Sequence, residues 1–174
     1  MSIEQLGNIG ELISAIAVLI TLIYLAIQLR AMNRIAQVDG HRDLIKQLNQ
    51  HYEKMKEPLL MNILLKGSED FDALSGQEQL TFETYMHSYF HICEQAWYMG
   101  RNRYVPAGSY DAFMNAAVAL SSHGALRWWQ NAKPTFADDF VAMIDERRAS
   151  TPELPPLREF MPTYMYGYKI GSDA

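Results

Sequence analysis

Residues 9–29 read IGELISAIAVLITLIYLAIQL, an apolar run of 21 residues whose one formally charged side chain, Glu11, lies near its beginning. As an α-helix rising about 1.5 Å per residue it is about 31 Å long, close to the hydrocarbon thickness of a bilayer. The strictly uncharged core, residues 12–27, is 16 residues, a length that a deeply buried helix of a soluble protein also reaches. Burial inside a globule is therefore the competing reading. A cleavable signal peptide fits less well, because MSIEQLGNIGE places Glu4 and Glu11 where a signal carries basic residues, and no small-x-small site follows. The expectation is a single transmembrane helix over residues 9–29, preceded by a short outer segment, residues 1–8.

The flanks set its direction. No Lys or Arg precedes the run, whereas Arg30, Arg34, Arg42 and Lys46 follow it, so the positive-inside rule puts the N-terminus outside and the following domain in the cytoplasm. Tyr24 falls near the inner end, within reach of the headgroups. These cations, with Lys54 and Lys56, alternate with Asp39, Asp43, Glu53 and Glu57, and so set topology without forming a specific anionic-lipid site.

Within the run, Gly7, Gly10, Ser14, Ala17, Thr21, Tyr24, Gln28 and Ala31 recur at alternating spacings of three and four. They form a heptad stripe of small and polar side chains on a helix otherwise filled by Leu, Ile and Val. Lipid is as apolar as leucine, so membrane helices associate through close backbone approach and a few hydrogen bonds, both of which small residues allow. A period of 3.5 favours left-handed packing at about +20°. The stripe is the expected helix–helix interface, with a second copy or another membrane protein as partner.

Beyond residue 29 the pattern remains helical. Met32, Ile35, Val38, Ile45, Leu48 and Tyr52 predict a juxtamembrane stalk over residues 30–56, with a possible break at Asp39-Gly40. Residues 57–150 read as a small helical bundle. A short helix over 57–65 closes at Lys66-Gly67, and an acidic loop follows. Ser75 and Glu78 form a capping box opening a long helix, about 76–101, whose apolar face is Phe82, Tyr85, Met86, Tyr89, Phe90, Cys93, Ala96 and Trp97. A helix over 109–122, with His123 at its C-terminal cap, a turn through ALRWWQNA, and a last helix to about 148 capped by Thr135 and Asp138 complete an all-α domain. Residues 151–174 hold four prolines in TPELPPLREFMP and then Tyr164, Tyr166 and Tyr168, predicting an extended arm.

Composition excludes several activities. A net charge of −5 opposes general nucleic-acid binding, which needs a basic face to displace counterions. Cys93 is the only cysteine, so there is no intrachain disulfide and no cysteine-based zinc knuckle. Phosphate loops, dinucleotide glycine motifs and a nucleophile elbow are missing. The sharpest chemical grouping is Glu83, His87, His91 and Glu94, within roughly 80° of one another at about 100° per residue. Such carboxylates and imidazoles can ligate zinc, manganese or iron, although a solvated helix face carries the same residue types. Trp128 and Trp129 suit a core anchor, or alternatively a ligand wall. No cofactor is assigned.

The segments GELISAIAVLITLIYLAIQLRAMNR, ICEQAWYMGRNRYVP and GALRWWQNAKPTF resemble a family of uncharacterised bacterial membrane-anchored proteins, with one apolar helix ending in Gln-x-Arg and a Trp-Trp pair before the last helix. The resemblance reaches to about residue 148 and implies a bacterial inner-membrane location but no activity. The expectation is a membrane-anchored interaction or scaffold subunit that contacts lipid and either self-associates or joins a larger membrane complex. The alternative is a metal- or ligand-binding sensor or enzyme using the Glu83 to Glu94 flank.

Overall fold

The computed structural model describes residues 3–151, which are helical throughout apart from short turns and connections and contain no strand. Six α-helices follow one another: α1 (Ile3–Lys54), α2 (Pro58–Glu69), α3 (Gly76–Arg101), α4 (Ala107–Leu120), α5 (Leu126–Ala132) and α6 (Asp138–Ser150), with short 3-10 turns before α3, before α5 and before α6. The predicted arm, with Tyr164, Tyr166 and Tyr168, lies outside the described residues. The chain divides into two compact units between Gly40 and His41.

The first unit is the apolar part of α1. One helix near the N-terminus is long and apolar enough to cross a membrane, and none of its most apolar window is buried. Large side chains from Leu12 to Val38 are exposed, Leu19, Ile20 and Leu25 among them at 58%, 62% and 53%. The predicted break at Asp39-Gly40 does not occur, because α1 continues to Lys54. One glycine costs about 1 kcal/mol against alanine in a helix interior, which cooperative propagation from both sides readily absorbs.

The second unit begins with the C-terminal turns of α1, where Leu44 is fully buried and Ile45, Leu48 and Tyr52 pack against the core. Pro58 starts α2 from the position where its missing N–H is harmless. That helix does not stop at Lys66-Gly67 as predicted but runs on to Glu69. A Cβ on Gly67 would sit 2.6 Å from the Phe82 ring and 2.8 Å from Leu74, so this glycine permits close helix packing and does not terminate the helix.

The capping box is present: the Ser75 side chain accepts from the Glu78 N–H, and the Glu78 carboxylate accepts from the Ser75 N–H at 2.7 Å. The apolar face of α3 is buried as the spacing predicts, with Ile92 in addition. It packs on α2 and α4, and α4 packs on α6. Pro106 caps α4, which starts at Ala107, two residues before the predicted position, and ends at Leu120. His123 then takes a left-handed φ of 52°, turning the chain so that Gly124 presses against the Glu69 carbonyl. The stretch ALRWWQNA, expected as a turn, is helical from Leu126 to Ala132, with Trp128 and Trp129 fully buried.

Trp129 Nε1 donates to Asp145 at 2.9 Å, and the same carboxylate accepts from Lys133 at 2.6 Å and Arg148 at 2.8 Å. Burial pushes the Asp145 carboxyl up, but the Lys133 and Trp129 hydrogen bonds and the charges of Arg148 and Lys133 outweigh it and hold the group below its usual range.

Candidate functional site

The stripe residues of α1 are exposed, and their polar side chains hydrogen-bond within the helix. Ser14 Oγ donates to the Gly10 carbonyl at 2.8 Å, Thr21 Oγ1 to the Ala17 carbonyl at 2.8 Å, and Gln28 Nε2 to the Tyr24 hydroxyl at 2.6 Å. Each pair is four residues apart, and all six residues belong to the stripe. A Cβ at Gly7 or Gly10 would meet nothing within 4 Å. Their small size therefore relieves no crowding within this chain.

Three residues of the Glu83 to Glu94 flank make contacts within the fold. His87 Nδ1 lies 2.9 Å from the Glu83 backbone carbonyl, which assigns that nitrogen the proton. Its ring packs edge-on to Trp128 and stacks on Phe136, with centroids 5.5 and 5.7 Å away. His91, more than half exposed, approaches Glu94 Oε2 at 3.3 Å. The other Glu94 oxygen accepts the Ala137 N–H at 2.8 Å. Ala137 is the N-cap residue of α6, so a carboxylate from α3 binds the end of α6, in the capping role expected of Thr135. Thr135 instead donates back to the Ala132 carbonyl at 2.7 Å, and Asp138 is the first helical residue. Among the described residues no three His, Cys, Asp or Glu side chains group so that they could hold a metal ion.

The sequence reading passed over His51. It follows Leu44 and Leu48 at spacings of four and three, the phase of a buried helix face, and is only 3% exposed. Its ring lies 3.9 Å from Tyr85 and 5.4 Å from Tyr89 by centroid. Neither ring nitrogen has a hydrogen-bond partner, and neither does the buried Tyr85 hydroxyl. Burial, with a smaller contribution from Lys54, lowers the His51 pKa to about 4, so the ring is neutral near pH 7. Burial likewise raises the phenols of Tyr85 and Tyr89, and Tyr89 shares hydrogen bonds with Cys93 and Tyr52. The Cys93 thiol is pushed up to about 12 by burial, which removes thiolate chemistry at neutral pH.

Two spaces adjoin this group. A polar groove of about 580 Å³ is lined by Gln47, His51, Lys54, Ser88, His91 and Gln95 among others. The other is a cavity of about 370 Å³ walled by the last turns of α1 and by α2, α3 and α4, including Leu48, Leu64, Tyr85, Met86, Phe113 and Ala116. No charged side chain lines it. The apolar periodicity of each helix was legible in the sequence, but a space where four helices fail to meet is a property of their packing.

No known protein family, curated protein or solved structure matches this chain, so the family resemblance rests on the quoted segments alone.

Proposed function

We propose that this protein is a membrane-anchored interaction subunit, held by α1 in a bacterial inner membrane with its N-terminus outside and its helical bundle in the cytoplasm. It self-associates, or attaches to a larger membrane complex, through the stripe from Gly7 to Gln28. The observation that carries this reading is the uncovered apolar surface of α1. A large apolar side chain gains roughly 1.5–3 kcal/mol when removed from water. Summed from Leu12 to Val38, that exceeds the whole stability of an ordinary domain, about 5–15 kcal/mol, so this surface requires a cover. Lipid suits it, because the hydroxyls of Ser14 and Thr21 donate their one hydrogen within the helix and present no orphaned donor to hydrocarbon. The acceptor lone pairs left over on those oxygens, and the low profile of the glycines and Ala17, favour this face as the seam.

Sidedness is tested by an Asn8→Cys variant labelled in intact cells with a membrane-impermeant maleimide; the native thiol, Cys93, is fully buried and stays silent. Labelling is expected, and protection until the cells are lysed refutes the orientation. Association is tested by mass photometry of the full chain in nanodiscs. Ala17→Leu with Thr21→Leu should reduce the assembly to a smaller species, and an unchanged mass refutes the seam.

A further inference from the structure

The cavity among α1, α2, α3 and α4 belongs to neither the anchor nor the stripe. Its volume of about 370 Å³ is at the lower end of small-ligand sites, about 300–1,000 Å³. The lining offers no charge, and nearly all of it is aliphatic, aromatic or thioether, so a guest carrying a charge must leave that end outside. Met55 and Met86 in the wall are unbranched and adapt to a guest of variable shape. Tyr85, 9% exposed, contributes to the wall and carries a hydroxyl without a partner.

From these observations we infer that the cavity is a binding site for a single aliphatic chain, such as the tail of a fatty acid, with the polar end toward the opening. The site itself is argued from its lining and size. Only the supply of such chains from a bilayer rests on the membrane reading.

The experiment uses the full chain in nanodiscs and a medium-chain saturated fatty acid bearing a diazirine near its tail, with the crosslinked peptides mapped by mass spectrometry. Label is expected on the cavity segments of α3 and α4, near Tyr85 and Phe113, and an excess of the unlabelled acid should displace it, because the site saturates. Label on the Leu12 to Val38 part of α1 should resist displacement, because bilayer does not saturate in that way, and it serves as the internal reference. Ala116→Trp fills the cavity. Excluding even two methylenes, each worth roughly fourfold in affinity, should lower the cavity-to-α1 label ratio by about tenfold or more.

Cavity segments that remain unlabelled, or a cavity label that the unlabelled acid cannot displace, overturn the proposal. So does a folded Ala116→Trp protein with an unchanged ratio. If that variant does not fold, the displacement arm on the unaltered chain still decides. Cavity label with none on α1 supports the site and counts against the membrane reading alone.

Discussion

Replacing His51 with leucine probes the most unusual group in the core. The imidazole is 3% exposed, with both nitrogens unpartnered, and burial lowers its pKa from 6.5 to about 4. The folded-state value lies below the unfolded one, so the unfolded chain binds the extra proton between these values and acid favours unfolding there. The destabilisation from this one group grows as pH falls from about 6.5 toward about 4. Linkage with those two values gives about 0.2 kcal/mol at pH 7 and about 2 kcal/mol at pH 5. Water entering the adjacent groove screens part of this, which sets about 1 kcal/mol as the lower expectation. Lys54, Tyr52, Tyr85, Tyr89 and, across the groove, His91 also face or border this ring; all remain in the variant, so their own titration cancels in the comparison. Denaturant unfolding of both proteins in nanodiscs, followed by tryptophan fluorescence near pH 7 and near pH 5, measures the difference. Near neutral pH His51→Leu should be as stable as the parent or up to about 1 kcal/mol more stable, since unpaired buried polar atoms are lost. On acidification the parent should lose about 1–2 kcal/mol relative to the variant. Parallel pH dependences would refute the burial argument. A variant more than about 2 kcal/mol weaker at neutral pH would show that the nitrogens are hydrogen-bonded after all.

Glu94→Ala removes the carboxylate that holds the Ala137 N–H, and should cost about 1–2 kcal/mol. Amide exchange should accelerate in the first turn of α6 in particular, and unchanged protection there would contradict the capping role. Gly124→Ala drives a Cβ into the Glu69 carbonyl, where backbone on both sides resists movement, so a loss of about 1–3 kcal/mol is expected in thermal unfolding. Gly76→Ala, where a Cβ meets nothing, should be neutral or stabilise by up to about 1 kcal/mol. Equal shifts for the two glycine variants would remove the steric explanation.

Local signals were legible because they depend on residues a few positions apart. The long apolar run, the Ser75-Glu78 capping box and the buried face of α3 all follow from helical spacing, and the structure contains each. Signals with a tertiary cause were not legible. Gly67 reads as a helix stop because glycine is a poor helix former, yet it stands where the Phe82 ring and Leu74 leave no room for a side chain. Spacing places Glu94 beside His91 on a polar flank and says nothing of its contact across the fold, where its carboxylate meets the start of α6. His51 was skipped because a polar residue in an apolar phase reads as an exception, and only its neighbours, Tyr85 and Tyr89, show how deeply it lies.

The all-helical class, an apolar N-terminal helix long enough to cross a bilayer and the small-residue stripe along it are legible in the residues alone, because periodicity and length act within one helix. Which glycines mark close packing, which N–H the Glu94 carboxylate holds, and the cavity of about 370 Å³ among four helices emerge from the packed fold. A void and a long-range hydrogen bond depend on the distances between elements, and those distances follow from how side chains of different helices interlock.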